Sequence, residues 1–518
     1  MKKLIFMVLF VMPIMISTVY GYSDVPENHW AKEYIEKAGD KGIIQGMGND
    51  KFGFGQQVKK GEFITMLCKM MNWNIVKSNG KWYTPYIKTA FEQGVINSEE
   101  IDAEAYITRK EMAEMLIKAL GFSEIEPGSS PFQDINNQYI TAAYDFGIIS
   151  GKGEGIFAPD DFATREEGAA MMCRLYDKYN HKLDFIHGFY AISSWSQRET
   201  AKKMDSISFG WSRLEYDKGV VLNTTNSNGN DWNIPEGAEN AMNYFSQNKI
   251  PINLAVIMNA SQNGMADENA CQTILLNEEN RKRAVALIVN ASSDFNGITI
   301  DFEGMKGADL RNGLNIFLQD LRNELPSEKV IYTAVHPVMN GEYYDAYDYE
   351  TIGEISDMVI LMAHDYGAVY MNEKERVSGF TTTPVTPFNQ IYTALKAISE
   401  QIKDKNKIAL ALSVASTTCW TLDNNGSVTN EFSLHPDINT VEKRLLQQDT
   451  VVEYSVKYRN PKAVYKDDDG NKVVLWYENE QSISDKIKLA KMFGINKISV
   501  WRIGQLTDNI WEAIQKFK

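Results

Sequence analysis

The feature that most constrains the fold is a series of apolar, β-type segments that alternate with helical segments from Gly188 onward. Eight strands are indicated by GFYAI, SISFGW, INLAVIM, GITIDFE, VIYTAVH, MVILMAH, IALALSV and ISVWRI. Stretches between them, such as LRNGLNIFLQDLRNEL, have the apolar spacing of helices. Eight strands with intervening helices over about 330 residues predict an α/β fold, a (β/α)8 TIM barrel.

A doubly wound open sheet is the main alternative topology. It predicts a glycine-rich phosphate loop after the first strand, and the segment YAISSWSQ contains no glycine. Between the seventh and eighth strands, the segment KAVYKDDDGNKVVLWYE has two β-rich arms around Asp469 and Gly470. It predicts a small β-hairpin inserted on the barrel.

The residues before the barrel contain an internal repeat. The segments HWAKEYIEKAGDKGIIQGMG and QYITAAYDFGIISGKG each predict a helix and a turn, and each is followed by a loop and a second helix. A weaker copy lies between them. The second helices carry apolar residues at i, i+3, i+4 and i+7, which is a single buried stripe. Because one copy cannot bury that stripe alone, we expect three copies to close into a small α-helical bundle.

Two of the copies begin their second helix with the segments ITRKE and ATREE. Thr108 with Glu111, and Thr164 with Glu167, have the spacing of capping boxes, which satisfy free amides at a helix start. Capping explains the threonine and the glutamate but not the arginine between them. These segments resemble the Thr-Arg-Ala-Glu hallmark of S-layer homology modules, and the region resembles three such modules.

This resemblance implies that Arg109 and Arg165 bind an acidic, pyruvate-bearing secondary cell-wall polysaccharide, a ligand suited to a planar guanidinium. The first copy departs from the hallmark with the segment KKGE, which has no capping threonine. Its groove is therefore expected to be weak or unused. The expected modules are residues 22–76, 77–125 and 126–180.

The fourth predicted barrel strand, in the segment NGITIDFE, carries two carboxylates. Side chains alternate along a strand, so Asp301 and Glu303 share a face with Thr299, whereas Phe302 lies on the other face. We expect the first face to point into the barrel and Glu303 to lie at the carboxyl end, where barrel enzymes keep their active sites. Burying carboxylates without partners is costly, so a structural ion pair is the alternative.

The same segment resembles the DxxDxDxE signature of glycoside hydrolase family 18. The resemblance implies substrate-assisted hydrolysis of an N-acetylglucosamine link with retention of configuration. Glu303 would be the general acid, and Asp301 would hold the N–H of the 2-acetamido group. In this family the nucleophile is the acetamide oxygen of the sugar. Neither a cofactor nor a metal is expected.

Other segments match further motifs of that family. The segment MAHDYG matches its Met-x-Tyr-Asp motif, which implies that Met362 and Asp365 lie near the acetamide and that His364 replaces the tyrosine. Trp501 matches the tryptophan that forms the floor of the sugar site, and an indole stacks well on a pyranose face. Tyr190, in the first strand, is expected to form a wall of the same pocket.

Two aspartates of the signature are absent, since Asn296 and Thr299 stand in their places. The inner one normally shares a proton with the aspartate matched by Asp301. Thr299 can donate a hydrogen bond but cannot hold that charge, so proton cycling is expected to be simpler. A neutral residue here, with VWRIG near the end, resembles the spore-cortex and wall-lytic N-acetylglucosaminidases of the family.

The resemblance covers most of the expected catalytic domain, residues 186–518, and implies peptidoglycan as the substrate. A chitinase or chito-oligosaccharide hydrolase is the second interpretation, since NGITIDFE does not separate the two. The third is a catalytically inactive lectin that binds carbohydrate on the same barrel. Such relatives usually lose the glutamate, whereas Glu303 is present here.

Residues 1–21 predict a secretory signal, with two lysines before an apolar stretch and Gly21 as a cleavage point. The apolar stretch is short for a membrane helix and no later segment reaches 18 apolar residues, so no membrane span is expected after signal removal, with an uncleaved membrane anchor as the alternative. The net charge of −15 argues against nucleic acid as a partner. The four cysteines form no CxxC and the six histidines no HExxH, which argues against a metal hydrolase. We expect a secreted protein attached to the bacterial cell wall.

Overall fold

The computed structural model of the chain describes residues 21–191, 194–260, 270–337, 345–377 and 382–518. The chain forms two compact units. The first contains residues up to 122, 130–144 and 148–177, and the second contains the rest. The predicted signal peptide lies, except for Gly21, outside the described residues. Across the ranges that are described, no helix is long and apolar enough to cross a membrane.

The first unit is helical. Its helices, in chain order, are α1 Lys32–Asp40, α2 Lys60–Met70, α3 Thr84–Glu92, α4 Arg109–Ala119, α5 Gln138–Asp145 and α6 Arg165–Asn180. Helices α2, α4 and α6 bury the apolar stripes that the repeat predicts. Both predicted capping boxes are present, because the Glu111 carboxylate accepts from the amide of Thr108 and that of Glu167 from the amide of Thr164, at 2.9 and 3.0 Å.

Three ion pairs link these helices in a cycle. Each joins the first residue of α2, α4 or α6 to the glutamate at the third position of another of these helices. The pairs are Lys60–Glu111, Arg109–Glu167 and Arg165–Glu62, with nitrogen–oxygen distances of 2.6, 2.5 and 3.7 Å. Because every repeat both gives and receives one contact, the three helix pairs are arranged as a closed ring.

The second unit is built on a closed barrel. The strands that the structure describes are β1 Phe185–Tyr190, β2 Ser206–Tyr216, β3 Val220–Asn223, β4 Ile252–Asn259, β5 Gly297–Glu303, β6 Val330–Val335, β7 Met358–Leu361, β8 Ile408–Ser413, β9 Thr418–Leu422, β10 Val451–Ser455, β11 Asn460–Lys466, β12 Lys472–Trp476 and β13 Lys497–Ile503. Parallel pairing runs from β1 through β2, β4, β5, β6, β7, β8 and β13 and returns to β1. The predicted (β/α)8 barrel is confirmed, and the open sheet is wrong.

Helices surround this barrel. They are α7 Arg198–Ala201, α8 Ala238–Gln247, α9 Ala270–Leu275, α10 Glu278–Ala291, α11 Ala308–Glu324, α12 Tyr349–Ile355, α13 Phe388–Gln401, α15 Glu480–Met492 and α16 Asp508–Gln515, whereas α14 Ile438–Leu445 belongs to an insertion. The outward face of β5 packs on this layer, since the ring centroid of Phe302 lies 5.2 Å from that of Phe317 in α11. The other face of β5 therefore points into the barrel.

The insertion between β8 and β13 is larger than the sequence predicts. The predicted hairpin is present as β11 and β12, with Gly470 in the turn at a φ of 83°. It forms the centre of a four-stranded antiparallel sheet in the order β10-β11-β12-β9, and α14 lies between β9 and β10. The two outer strands were not predicted, because they have no two-residue turn to mark them.

A buried ion pair joins this insertion to the barrel. The Glu478 carboxylate accepts from Nζ of Lys486 in α15 at 2.7 Å and from Nδ2 of Asn460 in β11 at 2.8 Å. The side chains of Glu478 and Lys486 are 1% and 3% exposed. Burial lowers the pKa of Lys486, although the adjacent carboxylate opposes the shift. Removing one member would leave the other charge buried without its partner.

We therefore predict that Lys486→Met lowers the free energy of unfolding by about 3–5 kcal/mol. Lys488→Met, in the same helix but at a partly exposed pair with Asp485, should cost less than about 1 kcal/mol. Urea unfolding of the intact protein measures both values. Adding Glu478→Gln to Lys486→Met should recover part of the loss, and equal losses in the two single variants would contradict the assignment.

Candidate active site

The lumen of the barrel beneath the mouth is packed. An apolar cluster of Phe189, Tyr332, Ala334, Met358, Ile360, Met362, Ala409 and Ala411 fills one side of it. A chain of polar groups fills another side: Thr299 Oγ1 lies 2.6 Å from Ser208 Oγ, which lies 2.8 Å from Nε2 of His187, whose Nδ1 lies 2.7 Å from Ser499 Oγ. Burial lowers the pKa of His187 to about 3, so this histidine is neutral. The Thr299 hydroxyl is therefore bonded inside the barrel, below the mouth.

Asp301 and Glu303 lie above this polar chain, on the same inward face of β5. Asp301 is 3% exposed, and among the described residues its Oδ1 has no hydrogen-bond partner. The side chain of Glu303 is 34% exposed at the rim. Burial raises the pKa of both carboxyls, and the charge of Asp301 raises that of Glu303 further. A carboxyl whose pKa is raised in this way keeps its proton near neutral pH and can deliver it to a substrate.

Two polar side chains flank Glu303 from the neighbouring strands. Nδ2 of Asn259, at the end of β4, lies 3.4 Å from Glu303 Oε2, and Nε2 of His336, just beyond β6, lies 3.9 Å from the same oxygen. Tyr347 lies beneath them, and its hydroxyl donates to the Phe302 carbonyl at 2.6 Å. The Glu303 carboxyl thus lies between side chains from the ends of the two neighbouring strands, β4 and β6.

The end of β7 supplies the residues of the segment MAHDYG. Met362 is 6% exposed and belongs to the apolar cluster of the lumen. Nδ1 of His364 lies 2.6 Å from Oδ2 of Asp365, whose φ is +63° and whose side chain is 69% exposed. Burial lowers the pKa of His364, but the charge and hydrogen bond of Asp365, together with the charge of Glu303, outweigh it and the net shift is upward. The pKa of Asp365 is lowered on balance by His364, although burial raises it.

Trp501 lies across the mouth from β5. Its ring centroid is 5.3 Å from that of Phe189 and 5.8 Å from that of Trp232. With Asp365 and His435, it lines a cavity of about 440 Å³ between the barrel and the insertion. A cavity with an indole on one side and polar groups on the other is suited to a sugar ring.

Tyr190 is the predicted site residue that the structure places elsewhere. Strand β1 begins at Phe185, and its inward residues are His187 and Phe189. Tyr190 therefore points outward, 5.7 Å from Phe245 of α8 by ring centroids, and lines a different cavity of about 490 Å³. Phe189, and not Tyr190, lies beside Trp501. The prediction for Tyr190 was wrong because the sequence did not show which face of β1 points into the barrel.

Sequence reasoning also missed residues that the structure brings to the mouth: His336, Asn259, Tyr347, Trp232 and His435. The first two end β-type runs, as Glu303 does, so the position after a predicted barrel strand was the signal available for them. The other three lie between the barrel strands, in segments with no recognisable motif. Nothing in their local sequence places them at this site.

The first unit contains a second candidate site, around Arg109. This side chain is 4% exposed, and its guanidinium donates to the Phe157 and Ser150 carbonyls at 3.0 and 3.1 Å. It borders a cavity of about 470 Å³ that is also lined by Trp30 and Lys152. Much of the Arg109 hydrogen-bonding capacity is thus used to fix the wall of the cavity.

Arg165 has the same arrangement at another position of the ring. Its guanidinium donates to the Phe52 and Gln45 carbonyls, both at 2.9 Å. It is 6% exposed, and its carbon Cζ lies 5.1 Å from the centre of the Phe52 ring. The two predicted arginines are therefore equivalent in the repeat, and both are anchored to the backbone of another copy.

Comparison with known proteins finds relatives that match part of this chain. The cortical fragment-lytic enzyme of Bacillus subtilis (strain 168) is 28% identical over 267 residues, which are 50% of this chain and 58% of that protein. The exoglucanase XynX of Acetivibrio thermocellus is 29% identical over 181 residues, which are 31% of this chain and 16% of that protein. The chain thus spans less than two thirds of either relative.

A chitinase from Chromobacterium violaceum ATCC 12472 has a crystal structure that matches with a TM-score of 0.52 at 18% identity. The match covers 64% of this chain and 98% of that chain. At this identity the likeness shows the fold alone, and it agrees with the closed barrel.

Family models match residues in both units. The S-layer homology domain model matches residues 21–64 and 134–169, within the first and third predicted copies, so the count of three modules stays a prediction. The model of the glycosyl hydrolases family 18 matches residues 185–505, more than half of the chain, from β1 to the end of β13. Since the match includes the whole barrel and the strand β5 that carries the signature, this chain belongs to the glycosyl hydrolases family 18.

Proposed function

We propose that this protein is a retaining glycoside hydrolase that cleaves β-1,4 bonds after N-acetylglucosamine by substrate-assisted catalysis. The observation that carries the proposal is the pair formed by Asp301 and Glu303 on one inward face of β5, with both pKa values raised by burial. A protonated acid at a rim and a buried carboxyl below it are suited to grip and cleave one amido sugar.

In the first step Glu303 gives its proton to the glycosidic oxygen, and the acetamide oxygen of the substrate attacks the anomeric carbon. Asp301 holds the acetamide N–H, a role that suits a carboxyl oxygen with no partner among the described residues. Glu303 then removes a proton from water, which opens the oxazolinium ring with overall retention. The protein forms no covalent bond to the sugar in either step.

His364 and Trp501 act on the sugar in the same pocket. Nδ1 of His364 donates to Asp365, so Nε2 can donate to the acetamide oxygen, in place of the tyrosine of the family, when the ring is protonated, a form that the raised pKa of His364 favours. Met362 packs below this group, and the Trp501 indole stacks on the sugar face. The Thr299 hydroxyl is bonded to Ser208 and exchanges no proton with Asp301.

We further propose peptidoglycan as the substrate. The 28% identity to a protein named as a cortical fragment-lytic enzyme supports this assignment, and so does an S-layer homology region on the same chain. A chitin-type glycan presents the same acetamido sugar to the pocket, and a catalytically inactive lectin would keep the pocket without turnover. The experiments below separate these alternatives.

The first unit is proposed to hold the secreted protein on the bacterial cell wall. Three S-layer homology modules agree with the ring of three ion pairs, in which Lys60 occupies the place of Arg109 and Arg165. An acidic wall polysaccharide would enter the cavity beside Arg109, with Trp30 and Lys152 as its exposed contacts. No cofactor, nucleic acid or membrane span is part of this proposal.

Glu303→Gln should lower kcat on soluble peptidoglycan fragments by a factor of about 10²–10⁴, because the amide cannot deliver a proton. Binding of the fragments and the thermal midpoint should be retained, as calorimetry and thermal unfolding would show. Glu324→Gln, at the exposed end of α11, is the matched control and should keep full activity. A Glu303→Gln variant as fast as the parent would exclude this glutamate as the acid.

Digestion of purified peptidoglycan and of chitin side by side should release new reducing ends mainly from peptidoglycan. After borohydride reduction, mass analysis should show N-acetylglucosaminitol ends, because the bond cleaved follows N-acetylglucosamine. Muramitol ends would indicate the other glycosidic bond of the polymer. Faster release from chitin would favour the chitinase interpretation, and binding without release from either polymer would favour the lectin.

Replacing Trp30 and Lys152 by alanine should reduce retention on purified cell walls by at least about tenfold, with little change in hydrolysis of soluble fragments. Sedimentation with walls, before and after chemical removal of the secondary polysaccharide, measures this. The parent should lose retention on the stripped walls. Equal retention on both preparations would mean that the first unit does not recognise that polysaccharide.

A further inference from the structure

The acid in this site must release and regain a proton without the inner aspartate of the family signature. Thr299 stands at that position, and its hydroxyl is already bonded to Ser208 at 2.6 Å. Asp301, the next carboxyl, is buried with Oδ1 unpaired among the described residues. Neither group donates a hydrogen bond to Glu303 after it ionises. The charge of His364 favours the ionised form and Nδ2 of Asn259 lies 3.4 Å from Oε2, so any closer donor has to come from a neighbouring strand.

The register of the barrel places a histidine in the required position. Asp301 in β5 pairs with Ala334 in β6, so a continuation of two residues brings Glu303 level with His336. Ala334 belongs to the lumen cluster, and alternation gives His336 the same inward face. Its Nε2 lies 3.9 Å from Glu303 Oε2, and its side chain is 14% exposed.

His336 is also held in place. Its carbonyl accepts from the hydroxyl of Tyr349 at 2.8 Å, and its ring centroid lies 5.9 Å from that of Tyr347. Tyr349 is fully buried at the start of α12. The backbone of His336 is therefore fixed, and the 3.9 Å between its Nε2 and Glu303 Oε2 is about 1 Å longer than a hydrogen bond.

The groups facing His336 come from three elements. They are Glu303 on β5, His364 and Asp365 after β7, and Tyr347 before α12. Burial lowers the pKa of His336 to about 4, the charge of His364 adds to this, and Asp365 opposes it. His336 is therefore neutral above that pH and carries one ring proton, whereas His364 has a raised pKa.

We propose that His336 is a positioning residue for Glu303, donating its Nε2–H to Oε2 of the glutamate whenever that carboxyl is ionised. This rests on the proposed function, in which Glu303 loses its proton to the leaving group and regains one from water. His336 keeps its own proton throughout, so the proton balance of the two steps is unchanged. It holds the carboxylate towards the attacking water and replaces the support that Thr299 cannot give.

His336→Leu and His336→Gln test the proposal. Leucine removes the donor, whereas the glutamine amide nitrogen replaces Nε2. A hydrogen bond to a charged group has a value that corresponds to roughly ten- to hundredfold in rate. We expect His336→Leu to lower kcat on soluble peptidoglycan fragments by at least about tenfold with KM within about twofold, and His336→Gln to recover most of the rate.

The pH profile separates a positioning role from a structural one. A donor stabilises the ionised form of Glu303 and so lowers its pKa. Without the donor, the alkaline limb of kcat/KM, which reports the protonated acid of the free enzyme, should move about one unit to higher pH. His336→Gln should keep the limb of the parent. A limb that stays in place or moves to lower pH in His336→Leu would overturn the proposal.

A measurement without turnover distinguishes this proposal from the proposed function. In the full chain labelled with ¹³C at the glutamate carboxyls, the Glu303 signal is identified by its loss in Glu303→Gln. Its titration should shift to higher pH in His336→Leu and not in His336→Gln. An inactive parent that shows this shift would refute the hydrolase and keep the contact. An active parent whose Glu303 titrates identically in all three proteins would refute the contact alone.

Discussion

The site depends on one constraint, which is that a closed barrel forces alternate residues of each strand into the same lumen. Asp301 and Glu303 are two positions apart on β5, so both side chains point to the lumen side of the strand as long as the register with β4 and β6 is kept. Burial raises the pKa of both carboxyls, which favours the protonated form and so reduces the cost of burying the pair. The same desolvation that makes them costly is what raises their pKa.

The polar chain below the carboxyls explains why the departures from the family signature are compatible with a folded barrel. Thr299, Ser208, His187 and Ser499 satisfy one another inside the lumen, so no charge is needed there. A second aspartate at position 299 would face Ser208 and a histidine that burial keeps neutral. The polar side chains nearest to Glu303 Oε2 therefore come from the neighbouring strands, Asn259 at 3.4 Å and His336 at 3.9 Å, and not from position 299 below it.

Much of the fold follows from the sequence, because strand and helix periodicities are local signals. All eight barrel strands, the hairpin of β11 and β12 and the capped helices of the first unit come from such signals. The carboxylate pair of β5 could be predicted because the boundaries of that strand are clear in the sequence. The face of Tyr190 could not, since β1 begins before the segment that looked like a strand. His336, Trp232 and His435 meet the site only through strand order and loop paths, which depend on contacts between distant parts of the chain.

The three ion pairs of the first unit form a circuit with no first or last member. An open array of repeats can grow or shrink at its ends, but a circuit of this kind closes at one copy number only. Adding or deleting a copy would leave one basic side chain and one glutamate facing the wrong neighbour. Changes in what this unit recognises must therefore arise within the individual cavities, so that one copy can diverge, as the lysine at position 60 shows, while the circuit is preserved.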